Sequence, residues 1–127
     1  MKFQPETFAG ANSIQRHSRA CIVVGNLPFE HSIVVPWVGE VQRWSPRRFE
    51  ELDATDFEPL ALLTPEIVIV GTGSRLRFPA ASVLRLLIER RIGFECMDTG
   101  AACRTFNLLA AERRRVAAAL IVEPPED

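Results

Sequence analysis

The residues best suited to chemistry gather in the second half of the chain. Gly71-Thr72-Gly73-Ser74 follows an apolar run and precedes an amphipathic one, where phosphate-binding loops occur. It departs from both phosphate-loop patterns. A dinucleotide fingerprint needs a third glycine at position 76, where Leu76 stands, and a P-loop needs Gly-Lys-Ser/Thr, whereas Lys2 is the only lysine. Arg75–Phe78 also separate the loop from the next helix. The loop therefore reads either as a tight turn that glycine permits or as a place where a ligand meets the main chain.

A second constellation is Asp98-Thr99-Gly100-Ala101-Ala102-Cys103-Arg104, with Asn107 one turn further on. Cys103 falls in the first turn or so of an expected helix, where the dipole and Arg104 would lower a thiol pKa. A thiol nucleophile also needs a base. The two histidines, His17 and His31, both lie in the first third of the chain, and no spacing brings either to Cys103. Cys103 thus reads as a small buried hydrophobe, and no catalytic residue is assigned. Arg75, Arg77 and Arg104 offer forked donors for a carboxylate or phosphate; the plainer account is a solvated edge with one ion pair to Asp98. Asn107 interrupts an apolar stretch and either bonds a backbone group or faces water. Trp37 and Trp44 flank a proline-bounded segment, where they cover a sheet edge or anchor a partner. No paired carboxylates at catalytic spacing and no Ser-His-Asp order stand out.

These residues are positioned by a regular alternation. Ile67–Val70 is an unbroken apolar run, suited to a strand buried on both faces. Pro79 opens a helix in which Ala80, Val83, Leu84, Leu87 and Ile88 form one stripe, and Gly93 is placed to take its left-handed cap. Phe94–Met97 is the next strand. Asp98 or Thr99 caps a second helix carrying Ala102, Phe106, Leu109 and Ala110, and Val116–Val122 is a last strand, fully apolar. The pattern predicts strands at 67–71, 94–98 and 116–122 in one sheet, with helices near 79–91 and 100–111. It is a parallel βαβαβ unit with right-handed crossovers. Neighbouring strand ends would then bring Gly71–Arg77 and Asp98–Asn107 to one crevice at the carboxyl edge, able to hold a small anion.

The first half is antiparallel in character. Cys21–Val24 and Ser32–Val35 flank the turn-prone Gly25-Asn26-Leu27-Pro28, Pro36 ends the second run, and Val41–Trp44 is a third short strand. Ser45-Pro46 suits a helical turn. Thr55 and Glu58 match a capping box for a two-turn helix with Phe57, Leu60, Ala61 and Leu63 on its apolar side, stopped at Thr64-Pro65. The expected organisation is an N-terminal arm at 1–18, a single α/β domain at 19–122 and a flexible acidic tail at 123–127.

Composition narrows the function classes. The chain has 127 residues, 47% hydrophobic and 24% charged, which is one ordinary globular domain rather than a disordered segment. Its net charge of −1 removes the general attraction to nucleic acid that a basic domain has. No apolar run is long enough to cross a membrane, so no membrane insertion is expected. The first twenty residues lack a signal-peptide layout. Three cysteines, Cys21, Cys96 and Cys103, occur without a Cys-x-x-Cys pair; this fits a reducing, cytoplasmic setting and argues against a metal site. No cofactor is expected.

The stretches PEIVIVGTGSRLRFP and GFECMDTGAACRTFNLLAAERRRVAAALI resemble a family of small domains of unknown function. It includes bacterial and archaeal single-domain proteins, an adipogenesis-associated human member and a mitochondrial respiratory complex I assembly factor. The resemblance covers residues 65–122 and extends back to about residue 19. It implies an α/β layered, Mth-domain-like fold: a mixed sheet with helices on one side and a smaller antiparallel β-layer of hammerhead type. By motif, the family's crevice residues are here Gly71, Thr72, Gly73, Arg77, Asp98, Thr99, Cys103, Arg104 and Asn107. It further implies a non-catalytic binding or assembly module with a protein partner. The long targeting extension of the mitochondrial members is missing, so a mitochondrial location is not implied. The alternative is a small-anion or nucleotide-binding protein, or a thiol-dependent enzyme, using the Gly71–Gly73/Asp98–Arg104 crevice.

Overall fold

A computed structural model describes residues 11–125, so the expectations for residues 1–10 and 126–127 lie outside the described residues. In chain order the elements are β1 (Ile14–His17), β2 (Ile22–Val24), β3 (Leu27–Phe29), β4 (Ile33–Val35), β5 (Gln42–Arg43), α1 (Glu58–Leu62), β6 (Ile67–Gly71), α2 (Arg85–Glu89), β7 (Gly93–Met97), α3 (Thr99–Ala111) and β8 (Val116–Leu120). Two 3₁₀ helices, Phe49–Glu51 and Ala54–Phe57, precede α1.

The three parallel strands share one sheet, as their apolar runs require. Its order is β5-β4-β8-β6-β7, with β6 parallel to β7 and β8, and β4 antiparallel to β5 and β8. From β6 the chain steps sideways to β7 through α2, then back across β6 to β8 through α3. Two right-handed crossovers in opposite directions must put their helices on opposite faces. On one face Cys103 and Phe106 of α3 pack with Ile33, Ile69, Ala118 and Leu120. On the other, Leu60 of α1, Leu84 at the start of α2 and Leu87 within it pack with Val34, Val68, Ala119 and Ile121. The helices thus cover both faces, not the single side implied by the resemblance, and β8 is buried along its whole length.

A second sheet, β1-β2-β3, is the smaller antiparallel layer. It lies on the α3 side, with Ile14, Ile22 and Val24 in that core. The end of the expected arm is therefore a strand: Ile14–His17 pairs with β2. The β2–β3 turn is shorter than expected. Gly25 (φ +56°) and Asn26 (φ +71°) form a two-residue turn alone, the primed geometry that matches strand twist. Leu27-Pro28 belongs to β3 instead, where Pro28 sits opposite Val23 on the edge strand and its missing N–H costs no ladder bond.

Three helical expectations shift. The helix expected at 79–91 is α-helical only over Arg85–Glu89. Val83 N–H donates to Ala80 O and Leu84 N–H to Ala81 O, so its start is a run of three-residue turns. Such turns advance about 120° per residue rather than about 100°. The phase slips: Ala80 is exposed and Ile88 is 51% exposed, while Leu84 and Leu87 remain buried. The left-handed residue after α2 is Arg91 (φ +57°), not Gly93, which opens β7. The capping box is formed by Asp53 and Asp56, two residues before the expected Thr55 and Glu58. Trp44 is buried, donating from Nε1 to Asp56 O at 2.8 Å and meeting Phe57 edge-on at 5.7 Å.

Candidate functional site

The carboxyl ends of β6, β7 and β8 meet where the strand order reverses, the place where open α/β sheets bind ligands. Thr99, the first residue of α3, ties the three ends together. Its hydroxyl donates to Ile121 O at 2.8 Å and accepts from Gly73 N–H at 2.9 Å, while its own N–H donates to Gly73 O at 2.9 Å. Two glycines make this approach possible. A Cβ on Gly71 would lie 3.0 Å from Thr99 Cα and Leu120 Cδ2. Gly73 has φ +101°, and a Cβ there would meet the Glu123 carboxylate at 2.9 Å. The Gly-Thr-Gly loop thus needs close backbone approach, and the chain's own α3 and Glu123 make it.

Thr72 closes the loop from inside. Its buried hydroxyl lies 2.7 Å from Arg75 O and accepts from Arg77 N–H at 3.2 Å. Arg77 is the hub of the next layer. Nη1 donates to Glu50 at 2.8 Å, Nη2 donates to Glu123 at 3.3 Å and to Thr72 O at 3.2 Å, and the guanidinium stacks 4.7 Å over the Phe49 ring. Glu123 also accepts from Ser74 N–H at 3.2 Å. The first residue of the expected flexible tail is thus docked in the crevice.

The expected residues separate into three groups. Gly73, Asp98 and Thr99 line a cavity of about 240 Å³ together with His17, Arg19, Gly100 and Glu123. Arg75 and Arg77 line an adjoining cavity of about 260 Å³ with Arg19, Arg48, Ser74 and Glu123. Cys103 and Asn107 face away from both. Cys103 is fully buried on the inner face of α3, and burial pushes its thiol up to about 12, with Arg104 opposing and Asp98 adding only smaller effects. Asn107 clamps β1: Ile14 N–H donates to Oδ1 at 2.8 Å and Nδ2 donates to Ile14 O at 2.7 Å. Arg104 is exposed, its Nη1 3.6 Å from where a Cβ on Gly100 would sit. Asp98 is the cap of α3, accepting from Ala101 N–H at 2.9 Å, rather than an ion partner of an arginine among the described residues.

Several main-chain donors offered by the loop and helix are consequently spent inside the protein: Gly73 N–H on Thr99, Ser74 N–H on Glu123 and Ala101 N–H on Asp98. Among the described residues no group of three His, Cys, Asp or Glu side chains is placed to hold a metal ion. The residues that sequence reasoning missed are Glu123, Glu50, Phe49, Arg48, Arg19 and His17. One carried a signal. Glu123 directly follows the apolar run Val116–Val122, so the parallel topology alone puts it at the carboxyl edge.

Comparison with known proteins bears on this geometry. Residues 14–121 match the family model described as protein of unknown function (DUF498/DUF598). NADH dehydrogenase (ubiquinone) 1 alpha subcomplex assembly factor 3 of Bos taurus is 38% identical over 109 residues, 84% of this chain and 58% of that protein. Its counterpart from Danio rerio is 34% identical over 123 residues, 95% of this chain and 70% of that protein. The chain thus spans a little over half the length of the bovine relative. A Bordetella parapertussis protein of known crystal structure superimposes with a TM-score of 0.86 at 34% identity, covering 91% of this chain and 98% of that one. A Bordetella pertussis protein described as a Mth938-like domain gives a TM-score of 0.80 at 27% identity, covering 99% of this chain and 95% of that one. The layered α/β fold is that of these neighbours. No helix among the described residues is long and apolar enough to cross a membrane.

Proposed function

We propose that this chain, which belongs to the DUF498/DUF598 family, is a non-catalytic assembly or accessory module that works by holding a protein partner. The observation that carries the reading is the alignment of nearly the whole chain with relatives named as assembly factors of NADH dehydrogenase. The site supports it. Its conspicuous thiol is sealed in the core, and its loop amides and Arg77 serve the protein's own architecture. The contact surface we assign is the loop after β6, where Leu76 and Phe78 are 50% and 72% exposed. Such side chains gain most when a partner covers them. All three cysteines are free thiols, which supports a reducing, cytoplasmic location.

The test is removal of the protein from its native cell, followed by native-gel measurement of assembled NADH dehydrogenase and of NADH oxidation by membranes. The expected result is a deficit restored by the wild-type chain but not by a Leu76→Ser/Phe78→Ser double variant of unchanged thermal stability. An undiminished complex in the deletion strain refutes the reading. A fully active double variant refutes the assigned surface.

A further inference from the structure

The open edge of the central sheet leaves main-chain groups that the fold does not use. β7 is the last strand of that sheet and pairs with β6 alone among the described residues. Gly93 N–H donates to Glu66 O at 3.1 Å, and Met97 O accepts from Thr72 N–H at 2.8 Å. In a parallel ladder the bonds on one side fall on alternate residues. Gly93, Glu95 and Met97 therefore face β6, while Phe94 and Cys96 turn their N–H and C=O outward. No described residue bonds those outward groups. The flanks of the edge are apolar. Phe94 and Cys96 rest on the α2-side core. On the other face Thr105 of α3 donates to Met97 Sδ at 3.3 Å, and Leu108, one turn further on, is 61% exposed. Between Phe94 and Cys96 stands Glu95, exposed and in no ion pair among the described residues. Burial first, and the Glu95 charge second, hold the Cys96 thiol above its usual pKa, so the group that Glu95 acts on is a thiol and not a cation.

Resting on the reading of this chain as a module that holds a protein partner, we propose that the β7 edge takes an extended segment of that partner as an added antiparallel strand, with an arginine or lysine opposite Glu95. Main-chain bonds to Phe94 and Cys96 supply the attachment, and alternate side chains supply the choice. With Phe94 and Cys96 in the hydrogen-bonded positions, Glu95 falls in a non-hydrogen-bonded pair, whose Cα atoms are only about 4.5 Å apart. A basic side chain there meets the carboxylate directly, and its aliphatic stem covers Leu108. The residues on either side of it lie on the face of Phe94 and Cys96 and are apolar. A second copy of this chain is the wrong occupant. The register that uses every outward group of both strands sets Glu95 against its own counterpart, a like-charge pair that destabilises the ladder. Sliding the copies to centre on Phe94 calls for Ile92 N–H, which already donates to Leu87 O at 2.9 Å. Sliding them to centre on Cys96 brings in Asp98, where the chain turns into α3. Glu95 thus guards the edge against self-pairing and selects a basic strand.

The test is a chemical-shift titration of the chain with the peptide acetyl-Thr-Val-Arg-Val-Thr-amide, and with a counterpart carrying Glu in place of Arg. Expected with the Arg peptide are saturating shifts at Phe94, Cys96 and Leu108 in the millimolar range. Hydrogen exchange should slow at the Phe94 and Cys96 amides, while those of Glu95 and Met97, already turned to β6, keep their rates. The Glu peptide should bind about tenfold more weakly, and Glu95→Lys should reverse that preference. Thermal melts confirm that the variant keeps the fold. Equal affinity for the two peptides, shifts confined to other surfaces, or shifts that never saturate overturn the proposal. So does slowed exchange at Phe94 and Cys96 when the chain alone is concentrated, since a second copy is then the occupant. Peptides that fail to bind refute the edge and leave the assembly reading intact, whereas an undiminished complex in the deletion strain refutes that reading and leaves the peptide result unchanged.

Discussion

Replacing Thr99 with valine removes one hydroxyl and keeps the side chain's shape. That hydroxyl joins the ends of β6 and β8 through Gly73 N–H at 2.9 Å and Ile121 O at 2.8 Å, in a residue only 8% exposed. Valine leaves a donor and an acceptor facing a methyl group, with little water to replace the lost partner. Each orphaned buried group costs about 1–3 kcal/mol, so the pair costs about 2–4 kcal/mol after modest relaxation. With a urea dependence of about 1–3 kcal/mol/M for a domain of this size, the midpoint should fall by roughly 1–2 M. Thr99→Ser separates the hydroxyl from the packing. It keeps both bonds and loses one methyl group, for about 1 kcal/mol or less. Amide exchange should localise the effect, with Gly73 N–H losing its protection in the valine variant alone. A valine variant within about 0.5 kcal/mol of wild type would show that the three-strand tie has no energetic weight. A serine variant as unstable as the valine one would assign the effect to packing and refute the hydrogen-bond account.

Phe106→Ala should cost about 3–5 kcal/mol and Leu84→Ala about 2–5 kcal/mol in urea titrations, because both are buried in opposite cores and leave cavities; losses below about 1 kcal/mol would contradict that packing. Asn107→Leu should cost about 1–3 kcal/mol and free the Ile14 amide to exchange, since it orphans both ends of the β1 clamp; unchanged exchange at Ile14 would refute the clamp. Burial holds the Cys103 thiol neutral up to about 12, against about 8.5 when unfolded. A raised pKa means the folded state binds the proton more tightly, so this contribution is whole below pH of about 8.5 and is lost as pH rises toward about 12. The chain has no tyrosine and only Lys2, so few other groups titrate there; the urea midpoint should fall across that window, less steeply in Cys103→Ala, and an equal slope would refute the assignment.

Much of the parallel half was legible because its inner strands, β6 and β8, are buried on both faces. Ile67–Val70 and Val116–Val122 admit no polar residue, and Asp98 is a cap whose side chain reaches Ala101 N–H as the helix start demands. The crevice followed from topology, since parallel neighbours must end side by side. Its interior chemistry did not follow. Arg77 finds Glu50 and Glu123 across 27 and 46 residues, and no local pattern announces partners at such separation. The docking of Glu123 was hidden by its neighbours Pro124, Pro125 and Glu126, which read as a loose tail. The start of the 79–91 stripe failed for a different reason. Period reports a helical face, but a few tight turns change the phase without changing the residues. The capping box failed because two overlapping candidates, Asp53/Asp56 and Thr55/Glu58, share one spacing, and backbone placement chose between them.

The position of β8 sets the order in which this protein can be finished on the ribosome. It is the last strand among the described residues, yet it lies in the middle of the sheet, between β4 and β6. Until Val116–Leu120 has emerged, Ile33–Val35 and Ile67–Gly71 have no strand to share, because β8 is the neighbour of both. The nascent chain therefore carries two apolar strand edges that are open at once, a state prone to pairing with other chains. Val122 N–H then closes the chain by donating to Ser32 Oγ at 3.0 Å, across 90 residues. Pausing of translation upstream of Val116 would prolong the exposed state, whereas pausing after Val122 would not.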